Sequence, residues 1–180
     1  MTLLWSSSSA RIVSILVFLC ILICGCTNKQ EYSASSEAQE LPLCEGTFDF
    51  TNRGSVSGDM LRGFSSAEAD GRWTDGNEAS FTCLLRGEER SPSRVRINTV
   101  GFVYGGHSQK VLVSINGSTP TEQRYDPSGQ EKVIELPLPS SLAGRLYIDF
   151  LLLDAVSPKE LGYNADPRKI AIRVRSIEFK

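Results

Sequence analysis

The chain has 180 residues, enough for one domain of ordinary size and a targeting segment. Its 19 Lys and Arg residues against 21 Asp and Glu residues give a formal net charge of -2 at pH 7. Because no excess of basic residues creates a positive surface field, we expect neither a nucleic-acid partner nor attraction to anionic lipid.

The N-terminal segment has the pattern of a targeting signal. Arg11 precedes an apolar run over residues 12–25, which is shorter than the ~20 residues that a membrane-spanning helix needs. The run ends in Ile23-Cys24-Gly25-Cys26, which resembles the bacterial lipobox, whose last cysteine is lipidated. We predict a lipoprotein signal peptide over residues 1–25 and a lipid anchor on Cys26. An uncleaved signal anchor is the alternative.

A polar segment follows the predicted anchor. Residues 27–42 are mostly Asn, Lys, Gln, Glu, Ser and Ala without an apolar period, so they cannot bury enough surface to become ordered. We predict a flexible tether over residues 26–42. Thr27 rather than Asp follows Cys26, and by resemblance to lipoproteins of bacteria with two membranes this permits outer-membrane sorting. The protein is therefore expected outside the cytoplasm, attached to a bacterial membrane through its lipid.

From residue 43 onwards apolar residues recur at every second position, which is typical of strands with one buried face. The alternating segments are 47–51, 79–85, 94–104, 110–115, 132–136, 145–153 and 169–180. About seven or eight antiparallel strands at this spacing predict an all-β domain over residues 43–180. The expected fold is a single β-sandwich of the jelly-roll or galactose-binding-like type.

Two segments indicate details of this sandwich. Asn116-Gly117 follows the strand 110–115 and predicts a tight hairpin turn, because both residues tolerate a positive φ. The strand 145–153 ends in Leu151-Leu152-Leu153, which predicts a central strand covered on both faces.

Cys44 and Cys83 are the cysteines of the predicted domain. An oxidising compartment permits a disulfide bond between them, and two buried thiols are the alternative.

Few residues suit catalysis or metal binding. His107 is the single histidine and has no nucleophile-elbow serine near it, so no catalytic site is predicted. One histidine and two separated cysteines are too few ligands for zinc. Loop carboxylates leave a structural calcium ion as an alternative to the absence of any cofactor. These carboxylates are Glu68, Asp70, Asp75, Asp154 and Asp166.

Two polar loops, residues 63–76 and 157–168, each precede a predicted strand and have the same character. We predict that they meet at one corner of the sandwich, named here the loop corner. Its candidate ligand-binding or structural residues are Glu68, Arg72, Trp73, Asp75, Asp166 and Arg168.

Trp73 has two interpretations in the loop corner. An exposed ring would form a platform for a sugar, whose hydroxyls would bond the charged neighbours. A buried ring would cover the open end of the sandwich, and Arg72 would then pair with Glu68 or Asp166. Arg168 would pair with another carboxylate of the corner. We favour the second interpretation, because loops that close a sandwich need an apolar plug and satisfied backbone groups.

Taken in order, four motifs resemble an uncharacterised bacterial β-sandwich domain. They are Gly63-Phe64-Ser65, the segment 71–76, Val113-Ser114-Ile115-Asn116-Gly117 and Asp166-Pro167-Arg168. That domain occurs in extracytoplasmic parts of proteins similar to membrane glycosyltransferases and phosphoglycerol transferases. The resemblance covers most of residues 60–180 and implies an accessory module. Because this chain carries no transferase domain, the resemblance implies a stand-alone version without transferase activity.

We therefore predict a membrane-tethered, non-catalytic envelope lipoprotein. Its expected partner is a cell-envelope glycan or a protein of envelope-glycan synthesis. One alternative is a structural or protein-interaction module without a sugar site. Another is a glycan hydrolase, which needs two facing carboxylates, and Glu68 with Asp166 is the pair that the sequence offers.

Overall fold

Two antiparallel β-sheets form the folded part of the chain. The computed structural model describes residues 40–86 and 92–180. Within these residues there are ten strands: β1 (Thr47–Asp49), β2 (Leu61–Arg62), β3 (Arg72–Trp73), β4 (Glu78–Leu85), β5 (Arg94–Gly101), β6 (Gln109–Ile115), β7 (Thr121–Tyr125), β8 (Glu131–Pro137), β9 (Gly144–Leu152) and β10 (Ile172–Phe179). A short 3-10 helix spans Gly58–Met60.

The first sheet has the strand order β1-β10-β5-β8, and β3 also pairs with β10. The second sheet has the order β2-β4-β9-β6-β7. The predicted all-β sandwich is confirmed. The two-residue strands β2 and β3 were not predicted, because so short a segment shows no alternation of apolar and polar residues.

The core lies between the sheets, and the alternation in the sequence determines which side chains enter it. In β4, for example, Ala79, Phe81, Cys83 and Leu85 are buried while their neighbours face outwards. Phe81 meets Phe48 with ring centroids 5.0 Å apart, and Phe48 meets Phe179 at 5.8 Å. Both are edge-to-face contacts; the first joins β1 to β4 of the other sheet, and the second joins β1 to its neighbour β10. Burying each phenylalanine contributes roughly 1.5–3 kcal/mol.

The predicted hairpin at Asn116-Gly117 is confirmed. Both residues have positive φ, 47° for Asn116 and 70° for Gly117, and β6 pairs with β7 in antiparallel register. The amide of Ser118 donates to the carbonyl of Ile115 across the turn.

The prediction for β9 is wrong in one respect. The strand is central, between β4 and β6, but its outer face is open to solvent. Leu151 is 40% exposed and Leu153 is 48% exposed. A run of leucines shows that a strand has low polarity, but it does not show whether a second layer covers the sheet. The burial predicted for this end of the strand was therefore too high.

The start of the domain is fastened to the second sheet. Cys44 forms a disulfide bond with Cys83 of β4. Beside it the amide of Leu84 donates to the carbonyl of Pro42. The predicted signal peptide, Cys26 and the tether up to residue 39 lie outside the described residues. In the part that is described, no helix has the length and apolar character to cross a membrane.

Candidate functional site

The structure places the two loops of the loop corner side by side. The amide of Gly76 donates to the carbonyl of Lys169 at 2.8 Å. Arg168 Nη2 lies 3.7 Å from Glu68 Oε1 in the other loop. The candidate residues Glu68 and Arg168, distant in sequence, are therefore neighbours.

Arg168 and Asp166 form the strongest polar pair of the corner. Arg168 Nε donates to both oxygens of Asp166 at 3.0 Å, and Nη2 donates to Oδ2 at 2.6 Å. The hydrogen bonds from Arg168 lower the pKa of Asp166. The bond to Asp166 and the nearby charges of Glu68 and Asp75 raise the pKa of Arg168. Asp166 and Glu68 are thus paired with a side chain of the protein itself.

Trp73 is half-buried on β3 and its ring is in contact on more than one side. It packs edge-to-face on Phe102, with ring centroids 6.0 Å apart. The guanidinium of Arg173 lies over the indole ring at 5.1 Å and forms an ion pair with Asp70. A sugar stacking on that face of the ring would have to displace Arg173.

Arg72 does not make the predicted ion pair with Glu68 or Asp166. Its Nη2 donates to the carbonyl of Val56 at 2.7 Å. The bidentate bonds of Arg168 already occupy Asp166, while Arg72 satisfies a backbone acceptor of another loop.

The loop carboxylates do not converge on a calcium site. Within residues 40–86 and 92–180, no group of three or more His, Cys, Asp or Glu side chains could hold a metal ion. Asp70 is paired with Arg173 and Asp166 with Arg168. The ring of His107 bonds the backbone carbonyl of Asp154 through Nε2 at 3.0 Å.

A cavity of about 320 Å³ opens on the outer face of the second sheet, and none of the six candidate residues of the loop corner lines it. We name it the trough. Its lining includes Arg62, Glu78, Ser80, Ser114, Asp149 and Leu151. None of them could be recognised as a site residue from the sequence, because four different strands contribute them.

Cross-strand register builds the floor of the trough. Arg62 of β2 lies opposite Ser80 of β4, which in turn lies opposite Asp149 of β9. On its other side Asp149 faces Ser114 of β6. Side chains at directly opposite positions have Cβ atoms about 4.5–5.5 Å apart, so the four form one polar row across the sheet.

Asp149 has an unusual environment. Its carboxylate is half-buried and, among the described residues, receives neither a hydrogen bond nor an ion pair. Burial raises the pKa of Asp149, the charge of Arg62 lowers it, and the charge of Glu78 raises it further. Arg62 is engaged elsewhere, with Nη2 3.6 Å from Glu78 Oε2. Asp149 therefore retains unused hydrogen-bond acceptors inside a cavity.

Apolar groups flank this polar row. Leu151 lies opposite Leu112 in the next row of the same face. Tyr147, on the other side of Asp149 along β9, is 38% exposed. The alternation that includes Tyr147 and Asp149 was visible in the sequence, but Leu151 was expected to be covered because it begins the run Leu151-Leu152-Leu153.

A separate exposed aromatic pair lies at the loops. The rings of Tyr104 and Tyr163 have centroids 4.4 Å apart, and Tyr163 also contacts Phe102. Tyr163 is 53% exposed. Because Tyr163 lies outside the lining of the trough, its replacement can serve as a control for variants of the trough.

Comparisons with known proteins give a fold-level likeness only. No protein-family model matches the chain, and no curated protein matches it. The resemblance to the accessory domain of envelope glycosyltransferases is therefore not shown by them.

Several solved structures are similar. The carbohydrate-binding module CBM36, in complex with calcium and xylotriose, is 19% identical with a TM-score of 0.42, over 74% of this chain and 98% of that one. The module CsCBM6-3 from Clostridium stercorarium, in complex with cellobiose, is 11% identical with a TM-score of 0.39, over 79% and 98%. The acetyl xylan esterase Est2A from Butyrivibrio proteoclasticus is 14% identical with a TM-score of 0.44, over 74% and 32%. At these identities and TM-scores the likeness carries no information about this chain's ligand.

Proposed function

We propose that this chain is a non-catalytic glycan-binding module and that the trough is its binding site. The observation that carries the proposal is Asp149, a half-buried carboxylate without a donor, set between Ser80 and Ser114 and beside Leu151. Sugar hydroxyls donate hydrogen bonds to such an acceptor. The apolar C–H face of a sugar ring packs on aliphatic or aromatic side chains.

The trough suits this role better than the loop corner does. In the corner, Asp166 and Glu68 face Arg168, and Arg173 lies over Trp73. A ligand there would compete with bonds that the protein already makes. In the trough it would satisfy an acceptor that the protein leaves open.

One observation favours glycan hydrolysis as a second candidate. Glu78 and Asp149 both line the trough, and burial raises the pKa of Asp149. A carboxyl group of raised pKa near a second carboxylate is the pairing that glycosidases use as acid and base. Glu68 and Asp166, the pair that the sequence offered, do not suit this role because both contact Arg168.

The cellular setting remains part of the proposal. The lipobox-like motif at Cys26 supports a lipid anchor, and the disulfide bond between Cys44 and Cys83 is compatible with an oxidising compartment. We place the module at the bacterial cell envelope, where its glycan would belong to surface polysaccharide or its assembly. Replacing Cys26 by Ser should release the protein from membranes.

A glycan-array screen followed by calorimetry tests the binding site. Residues 27–180 contain every described residue and lack the lipid site. We expect Asp149→Ala to weaken binding at least about 10-fold, since a hydrogen bond to a charged group is lost. The control Tyr163→Ala alters an exposed aromatic side chain outside the trough and should bind as the unmodified protein does. If Tyr163→Ala weakened binding and Asp149→Ala did not, the site would lie at the loops. Release of reducing sugar from the glycan would support hydrolysis.

A further inference from the structure

The carboxylates on the outer face of the second sheet differ in their partners. Glu78 Oε2 lies 3.6 Å from Arg62 Nη2, and Oε1 of Glu122 on β7 lies 2.6 Å from Arg124 Nε. Asp149, at the centre of the same face, has no ion pair among the described residues. Glu78 and Glu122 thus each form an ion pair with an arginine, while Asp149, the most buried of the three, forms none among the described residues.

Arg62, in the same polar row, lowers the pKa of Asp149 through its charge, but its guanidinium makes its ion pair with Glu78. The direct neighbours of Asp149 across the sheet are Ser80 and Ser114, which carry no charge. Lys110 lies on β6 with Ser114 but four residues away, about 13 Å along a strand. The lining of the trough therefore has two carboxylates, Glu78 and Asp149, against the one guanidinium of Arg62, which leaves an excess of negative charge in a partly desolvated position.

This charge distinguishes between classes of sugar. A neutral hydroxyl can donate a hydrogen bond to Asp149 but leaves the charge without a counterion. A uronic acid would bring a second carboxylate next to the first. A protonated amine supplies both a donor and the missing positive charge, and charge-assisted hydrogen bonds are roughly twice as strong as neutral ones.

Resting on the proposed glycan-binding function, we infer that the trough selects glycans with a free, protonated amino group, that is, hexosamines without an N-acetyl group. The ammonium group contacts the Asp149 carboxylate. Neighbouring hydroxyls of the sugar bond Ser80 and Ser114, and the C–H face of the ring packs on Leu151 and Leu112.

The geometry favours an amino sugar over a lysine side chain. A lysine would bring the ammonium on a flexible stem and would leave the two serine hydroxyls without a partner. The row of Ser80, Asp149 and Ser114 offers polar groups on both sides of the carboxylate, which matches an amine flanked by hydroxyls on a ring.

Calorimetry with three matched trisaccharides tests the inference, using residues 27–180. The ligands are the β-1,4-linked trimers of glucosamine, N-acetylglucosamine and glucose, and tri-lysine is a fourth probe. We expect the glucosamine trimer to bind at least 10-fold more tightly than the other two sugars. In Asp149→Asn this preference should disappear. Glu122→Gln, which alters a paired carboxylate of the same face, should keep it.

The outcomes separate the two proposals. Equal affinity for the three sugars would overturn the selection of amines and leave glycan binding in place. Binding of none of them by the unmodified protein would overturn the amino-sugar assignment, and the absence of any ligand in the glycan array would overturn glycan binding itself. Tri-lysine binding as tightly as the glucosamine trimer would show a simple ion pair and overturn the amino-sugar assignment. The comparison among ligands uses the unmodified protein, so it does not depend on the folding of a variant.

Discussion

The guanidinium of Arg173 lies over the indole ring of Trp73, with its Cζ atom 5.1 Å from the ring centroid. Arg173 also forms an ion pair with Asp70 in the loop of residues 63–76, and Trp73 meets Phe102 edge to face. These contacts join β3 and β10 to the loop corner. Trp73 therefore acts as a packing element of the sandwich end in this structure.

Trp73→Ala tests this structural role. We expect the free energy of unfolding to fall by about 2 kcal/mol, because a half-buried ring and a cation–π contact are lost. Glycan binding in the trough should be unchanged. Urea denaturation measures the first effect and calorimetry the second. If the variant kept its stability but lost glycan binding, the corner would be the sugar site.

The disulfide bond gives a second prediction. Cys44 and Cys83 are 39 residues apart in sequence, and their bond closes a loop of that size in the unfolded chain. The double variant Cys44→Ala/Cys83→Ala should lose about 2–4 kcal/mol of stability, the usual effect for such a loop. Unfolding with and without reductant measures it, and reductant should leave the variant unaffected. An unmodified protein indifferent to reductant would contradict the prediction.

Asp149→Asn should raise stability while abolishing ligand preference. Burial raises the pKa of Asp149, so its ionised form opposes folding at neutral pH. The variant should therefore be more stable than the unmodified protein at pH 7. The difference should shrink as the pH falls through the raised pKa, since protonation removes the charge. Unfolding curves over a pH series measure this, and Glu122→Gln, which breaks the ion pair with Arg124, should show no gain.

The pH dependence of Arg168→Met should have the opposite form. The hydrogen bonds from Arg168 lower the pKa of Asp166, so this pair stabilises the fold when Asp166 is ionised. We expect the free energy of unfolding of the variant to be lower by about 1 kcal/mol at neutral pH. The difference should vanish as the pH falls through the lowered pKa, below the ordinary value of 3.8. A loss of the same size at every pH would indicate packing rather than charge.

Gly63→Ala should be severely destabilising. Gly63 has φ 68°, and a Cβ atom there would collide with the backbone carbonyl of Glu78. We expect the free energy of unfolding to fall by about 1–3 kcal/mol or more, because a backbone neighbour cannot move aside easily. The matched control is Gly58→Ala, where φ is not positive and nothing lies within 4 Å of the added carbon. Thermal unfolding of the two variants provides the comparison.

The fold followed from the sequence because alternation reports burial directly. Phe81 and Cys83 were assigned to the core from their spacing alone, and both are fully buried. Asn116-Gly117 similarly identified its turn through the backbone conformation that it tolerates. Such local signals need no knowledge of the partner strand.

The candidate site depends on information that the sequence does not hold locally. Arg62, Ser80 and Asp149 become neighbours only through strand order and register. Conversely, the bond between Arg168 and Asp166 joins residues two positions apart and was within reach of prediction. The hydrogen bond of Arg72 to Val56 was not, because backbone acceptors have no sequence signature.

The edge strands of the second sheet affect whether neighbouring molecules can pair strand to strand. Strand β7 carries Glu122 and Arg124, and the opposite edge of the same sheet, β2, is only two residues long. A charged edge and a short one are poor templates for the strands of a neighbouring copy. Crowded side by side, neighbouring molecules should not join through the edges of this sheet.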